Sequence, residues 1–258
     1  TSGLRPVQFL RELEADLLED YSDVFSVAHN SGDSVATAFE AIRYGADVVE
    51  VDVVSLNGRL YAAHDSPVTW FGGSLFRGPP LEQIWIASAA APVIKLDLKE
   101  SSPAFTELVL EFLAAHKGQR TVIVVSGDTG LLRRFEADAP SVFRFLSVSG
   151  ASSFERLEQD PELAAMLDGV SVQHGLLTEE RAGWLEEQGL LTVAWTVNDL
   201  YRVNELVLLG VDAITTDNLA IVKLLGSQTR ASPSLQLLRQ PQPAPSAPAT
   251  PVTATTGS

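Results

Sequence analysis

Two apolar patterns alternate along this chain. Short β-branched runs, which fit buried strands, give way to longer stretches with apolar residues every three or four positions, which fit amphipathic helices. The first helix-type pattern is Phe9, Leu10, Leu13, Leu17 and Leu18, so residues 1–23 are expected to form an N-terminal helix. Val24–Ala28 reads as a short strand ending at His29. Asp33 or Ser34 can cap a helix running to about Tyr44, with Ala38, Phe39 and Ile42 on its inner face and Gly45 as its stop. Val48–His64 then reads as strand, turn, strand about Asn57-Gly58. Phe71–Pro80 is rich in Gly and Pro and reads as a loop, and Leu81–Ala87 as a helical turn.

Beyond that point the alternation becomes regular. Strands are expected at 92–98, 120–125, 142–148, 169–173, 191–197 and 213–216. Helices are expected at 102–116, 129–137, 152–167, 178–188, 200–209 and 219–225. With the strands at Val24 and Val48 this makes eight β/α units, the repeat of a (β/α)₈ TIM barrel over residues 24–226. An open doubly wound sheet is the runner-up, because a strand count does not establish closure. From Ser227 the composition changes. Residues 227–258 are rich in Pro, Ala and Thr with no aromatic side chain, so they are expected to be a disordered tail.

Composition narrows what such a barrel could do. Hydrophobic residues make up 45% of the chain and charged residues 20%, enough for one core. A formal net charge of −15 opposes nonspecific attraction to nucleic acid or an anionic membrane, so no nucleic-acid partner is expected. A small phosphorylated substrate remains compatible, since a local cation can invert the field at one site. The absence of cysteine excludes disulfides, zinc–thiolate sites and cysteine nucleophiles. No apolar run reaches 18 residues, so no transmembrane segment is expected. The cysteine-free chain, its start at Thr1 and its Pro/Thr tail point toward a secreted or cell-surface location.

Barrel enzymes assemble their sites at the C-terminal ends of the strands. His29, Glu50, Asp52, His64, Asp97, Lys99, Trp195, Asn198 and Asp217 all fall there. Glu50 and Asp52 are two apart in a valine-rich strand, so they share a face about 7 Å apart. Lys95, Asp97 and Lys99 share a face of the next parallel strand. Glu50, Asp52 and Asp97 then make a three-carboxylate set suited to one divalent cation, Mg²⁺ or Ca²⁺. Lys99 beside it could hold a phosphate oxygen. Lys95 lies deeper by the same period and needs an acidic partner that the sequence does not single out. His29 and His64 suit proton exchange on either side of such an ion. His116 reads as a cation at a helix C-terminus, and His174 follows a strand with nothing beside it.

AHN at 28–30, TAFEA at 37–41, GADVVEVDV at 45–53 and AHD at 63–65 resemble the glycerophosphodiester phosphodiesterase family. LDLK at 96–99, AWTVND at 194–199 and GVDAITTDNLA at 210–220 continue the resemblance in order. It implies a (β/α)₈ barrel, one divalent cation, and cleavage of a small phosphodiester or lysophospholipid to an alcohol and a phosphomonoester. Carried over by position, His29 and His64 are the catalytic acid/base pair, and Glu50, Asp52 and Asp97 the metal ligands. Lys99, Trp195 and Asn30 become substrate-binding. Three departures stand out: Ser34-Val35-Ala36-Thr37 keeps only the threonine of the family's run before the helix, Asp97 replaces its usual glutamate, and Asn30 replaces its arginine. The last two matter for the reaction. Both resemble the sphingomyelinase D-like phospholipases, which implies an alternative reaction releasing a cyclic phosphate. VIKLDLK at 93–99 also resembles the menorin family, and a non-catalytic binding module is the remaining alternative.

Overall fold

The computed structural model describes residues 21, 24–64, 69–70, 73–74 and 78–226. The expected N-terminal helix, apart from Tyr21, and the expected tail lie outside the described residues.

β1 (Phe25–Ala28) is followed by a 3₁₀ turn at Ser31–Asp33 and by α1 (Val35–Arg43). β2 (Val48–Leu56) turns back into β3 (Arg59–Ala62). Both turn residues have positive φ, Asn57 at 51° and Gly58 at 73°, as the tight hairpin requires. A two-stranded antiparallel pair, β4 (Thr69–Trp70) and β5 (Gly73–Ser74), precedes α2 (Leu81–Ala87). β6 (Val93–Leu98), α3 (Pro103–Ala115), β7 (Thr121–Ser126), α4 (Thr129–Asp138) and β8 (Phe143–Val148) come next. α5 (Ala151–Gln159), α6 (Pro161–Met166), β9 (Gly169–Gln173), α7 (Glu179–Glu187), β10 (Leu191–Trp195), α8 (Leu200–Leu208), β11 (Ala213–Thr216) and α9 (Leu219–Gly226) complete the order.

The strands close. β1 pairs in parallel with both β2 and β11, so the order β1-β2-β6-β7-β8-β9-β10-β11 returns on itself. This eight-strand parallel ring with helices outside it is the (β/α)₈ barrel, and the open-sheet alternative falls. Alternation along each strand sorts side chains into two cores. Phe25, Val27, Val48, Val93, Ile123, Val125, Phe143, Phe145, Val193 and Ala213 fill the barrel interior. Their neighbours in sequence, such as Val49, Val51, Ile94, Leu96, Val124 and Leu146, pack outward against the helices. Gly169 is required by this interior: a Cβ there would come within 2.6 Å of the Phe145 ring.

At the opposite end from the expected site, three aspartates tie strand starts together. Asp47 accepts from the backbone N–H and hydroxyl of Ser26, Asp168 from the N–H of Arg144, and Asp212 from the N–H of Thr192. Each stands just before its own strand and satisfies a donor on the preceding strand of the barrel. Burial pushes the Asp212 carboxyl up to about 6.

Three expectations are corrected. Residues 152–167 are two helices, because Pro161 cannot continue the first and Asp160 caps the second. Phe39 points out and is 54% exposed, while Ala38 and Ala41 form the buried face of α1. Small residues there let the helix lie close to the strands. Within Phe71–Pro80, Gly73–Ser74 belongs to a short ladder and Pro80 bridges to Tyr61; the remainder through Arg77 is outside the described residues.

Candidate active site

A cavity of about 360 Å³ opens at the C-terminal ends of the strands. His29, Glu50, His64, Asp97, Lys99 and Trp195 line it, as the sequence led us to expect. Lys95, Ser147, Ser171 and Thr196 line it too, which sequence reasoning had not assigned to a site. Asn30 does not line it; its side-chain oxygen is buried without a hydrogen-bond partner among the described residues. His174 is also absent from the wall and lies against Arg202.

The acids arrive through strand register. β2 and β6 align Glu50 with Lys95 and Asp52 with Asp97, all on the inward face. Lys95 therefore finds the acidic partner that the sequence could not name: its ammonium is 2.6 Å from Glu50 Oε1, and both groups are buried. One level up, the Lys99 ammonium lies between two carboxylates, 2.6 Å from Asp97 and 3.1 Å from Asp52. The inward surface is thus a lattice of three acids and two lysines. Among the described residues, no three acidic or imidazole side chains close on one ion as they stand. The carboxylates pair instead with the Lys95 and Lys99 ammoniums.

The lattice is nevertheless short of positive charge. Among the described residues, Glu50 Oε2 and Asp52 Oδ2 are buried with no hydrogen-bond partner, and Asp52 Oδ1 has only the Lys99 ammonium at 3.1 Å. An orphaned buried carboxylate oxygen is costly. Burial raises the Asp52 carboxyl pKa, with Asp97 and Glu50 adding to the rise against Lys99. For Lys99, burial works downward, but Asp97 and Asp52 outweigh it and hold the ammonium protonated more firmly than usual. Two unsatisfied hard oxygen donors, Glu50 Oε2 and Asp52 Oδ2, in a crowded acidic patch fit the chemistry of a hard divalent cation.

Asp33, on the turn after β1, is a further acid beside this patch. It accepts the backbone N–H of Asp52 at 3.2 Å. Burial and the neighbouring Asp52 and Glu50 push its carboxyl up to about 7. Gly32 permits the approach: a Cβ there would sit 2.2 Å from a Val51 methyl and 2.8 Å from the Glu50 carbonyl.

His29 is fixed from behind. Its Nδ1 is 2.6 Å from Asp217 Oδ1. Asn198 donates to the other Asp217 oxygen at 2.8 Å and accepts from the Asp217 N–H and the Thr216 hydroxyl. Burial raises the Asp217 carboxyl, but the bonds from Asn198 and His29 outweigh it and the net pKa is lowered. A carboxylate on Nδ1 selects the tautomer that leaves Nε2 as an acceptor facing away from Asp217. His64 is exposed at the end of the β2–β3 hairpin and lines the same cavity. His116 caps the C-terminus of α3 as expected, through the Phe112 carbonyl and Glu82.

Residues 89–221, just over half of the chain, match the model of the glycerophosphoryl diester phosphodiesterase family. The matched span contains Asp97, Lys99 and Trp195 and begins after His29, Glu50, Asp52 and His64. No curated protein matches the sequence. Solved structures share the fold. An Oleispira antarctica phosphodiesterase, crystallised with its product sn-glycerol-3-phosphate, is 20% identical over 80% of this chain and 98% of its own, with a TM-score of 0.66. The glycerophosphodiester phosphodiesterase of Thermotoga maritima is 18% identical over 78% of this chain and 98% of its own, at 0.61. A calcium-dependent phosphoinositol-specific phospholipase C from a Pseudomonas species is 12% identical over 78% and 90%, at 0.55.

Proposed function

The chain belongs to the glycerophosphoryl diester phosphodiesterase family of phosphoric diester hydrolases, and from that membership we propose that its rim cavity cleaves a glycerophosphodiester, or a lysophospholipid, by histidine acid–base catalysis. The observation that carries the reading is the convergence of His29, His64, Glu50, Asp97 and Lys99 around one cavity, with Asp52 just behind Lys99 and outside the lining. His29, with Nδ1 held by Asp217, offers Nε2 to take or give a proton at the reacting phosphate. His64, lining the same cavity, serves as the second proton carrier, so attack and departure each have one. Lys99 binds a non-bridging phosphate oxygen, and Trp195 forms a wall against the substrate. Glu50, Asp52 and Asp97 would hold one Mg²⁺ or Ca²⁺, which supplies neutralisation of the charge that develops on phosphate. The like-folded phosphodiesterase with glycerol phosphate and the calcium-dependent phospholipase support these classes of substrate and cation.

The test is turnover of glycerophosphocholine and lysophosphatidylcholine followed by ³¹P NMR, with Mg²⁺ or Ca²⁺ and then with chelator. An open phosphomonoester is expected, together with loss of turnover on chelation. His29→Ala and His64→Ala should each lower kcat by roughly 10²- to 10⁴-fold. Turnover indifferent to chelator would remove the metal from the reading. A cyclic phosphate would assign attack to a substrate hydroxyl, in line with Asn30 standing apart from the cavity where the family has arginine.

A further inference from the structure

The cavity has two unlike walls. In the ring order, β2 lies across the barrel from β9, and β1 across from β8. The charged groups stand on β2 and β6 and just beyond β1. On the far side, Ser147 of β8 and Ser171 of β9 are register partners, and both face inward into the cavity. Adjacent strands are about 4.8 Å apart, so the two hydroxyls form a pair. Neither has a hydrogen-bond partner among the described residues, although Ser171 is only 2% exposed. Both hydroxyls reach the cavity, and a ligand that displaces solvent from this wall without bonding to them would leave them unpaired at a cost.

We propose that Ser147 and Ser171 are the specificity subsite for the hydroxyl-bearing arm of the substrate, a glycerol-like polyol esterified to phosphate. The inference rests on the phosphodiesterase reading and adds to it which end of the substrate lies where. The phosphate needs cations, and the ammoniums are on the β2/β6 side. A neutral hydroxyl pair cannot compete with them for an anion, but it can donate to and accept from vicinal hydroxyls. An acyl chain gains nothing from this wall, since it would leave both serine hydroxyls unpaired. Selectivity therefore comes from the penalty on a ligand that lacks hydroxyls as much as from the bonds to one that has them.

The experiment is calorimetric titration of the full chain with sn-glycerol 3-phosphate, propyl phosphate and inorganic phosphate. The wild type is expected to bind glycerol phosphate more tightly than propyl phosphate. Ser147→Ala and Ser171→Ala should each weaken glycerol phosphate by roughly 3- to 10-fold, one neutral hydrogen bond, and leave propyl phosphate unchanged. Ser147→Thr keeps the hydroxyl and should keep the preference; melting curves confirm that each variant is folded. If the double alanine variant still prefers glycerol phosphate, or loses both ligands equally, the subsite is refuted. If propyl phosphate and inorganic phosphate fail to bind the wild type at all, the phosphodiesterase reading fails with it. Binding of all three with equal affinity overturns the subsite alone.

Discussion

Lys95→Met removes one charge of a buried pair and keeps the side-chain volume. In the native barrel the ammonium is 2.6 Å from Glu50 Oε1, and the two side chains are 2% and 4% exposed. The second oxygen of Glu50 already lacks a hydrogen-bond partner among the described residues. After the substitution that carboxylate is buried beside Asp52 with no counter-charge. Breaking a buried pair from one side costs about 3–5 kcal/mol. For a domain of this size, that lowers Tm by roughly 10 °C. Urea melts and calorimetry read both numbers. The double variant Glu50→Gln/Lys95→Met removes the orphaned charge and should recover most of the loss, because a neutral replacement of a buried ion pair is often close to neutral.

The same variant interrogates the ion. With Lys95 gone, Glu50 is released to an added cation, so Mg²⁺ or Ca²⁺ should stabilise Lys95→Met more than it stabilises the wild type. At a concentration 100 times Kd the gain is about 2.7 kcal/mol. If Lys95→Met melts within about 1 kcal/mol of the wild type, the pair is not the structural element that its burial implies. A double variant no better than the single one refutes the charge argument. Indifference of both proteins to divalent cations removes the proposed metal role of Glu50.

Two further outcomes follow from groups at either end of the barrel. Asp217→Asn keeps the shape behind His29 but withdraws the charge that selects its tautomer, so kcat should fall by at least roughly 10-fold with little change in KM, measured by steady-state kinetics. Asp212 has a folded-state pKa of about 6, above its ordinary 3.8, so the folded protein holds a proton in that interval that the unfolded chain has lost. Its contribution to stability therefore falls as pH rises from about 4 to about 6. Asp212→Asn keeps the acceptor for Thr192 and should be more stable than the wild type at pH 8, by on the order of 2 kcal/mol, with no gain at pH 4 in urea melts.

Much of this was legible because strands obey a period of two. That rule alone put Glu50 and Asp52 on one face and Lys95 and Asp97 on another, and the hairpin turn was announced by Asn57-Gly58. What the period could not supply was the register between strands 45 residues apart, and register is what gives Lys95 to Glu50. Ser147 and Ser171 were silent for a different reason: a single serine in an apolar strand looks the same whether it faces a helix, a core or a cavity. Asp33 and Ser34 were equal candidates for the helix cap; Ser34 does the capping and leaves Asp33 to turn to Asp52. The break at Asp160-Pro161 was visible in the sequence and outweighed by the apolar period on either side.

Charge balance ties these pieces together. A phosphodiester is an anion, and the chain as a whole carries −15. The inward lattice of Glu50, Asp52 and Asp97 against Lys95 and Lys99, all ionised, is −1 and would repel it. One divalent cation changes that local sum to +1 and at the same time gives the orphaned Glu50 Oε2 and Asp52 Oδ2 a partner. Neither lysine can do this alone, since each is already engaged by a carboxylate at 2.6 Å. The cation and the substrate are therefore expected to bind with positive coupling: phosphate affinity should rise with divalent concentration, and cation affinity should rise with phosphate by the same factor.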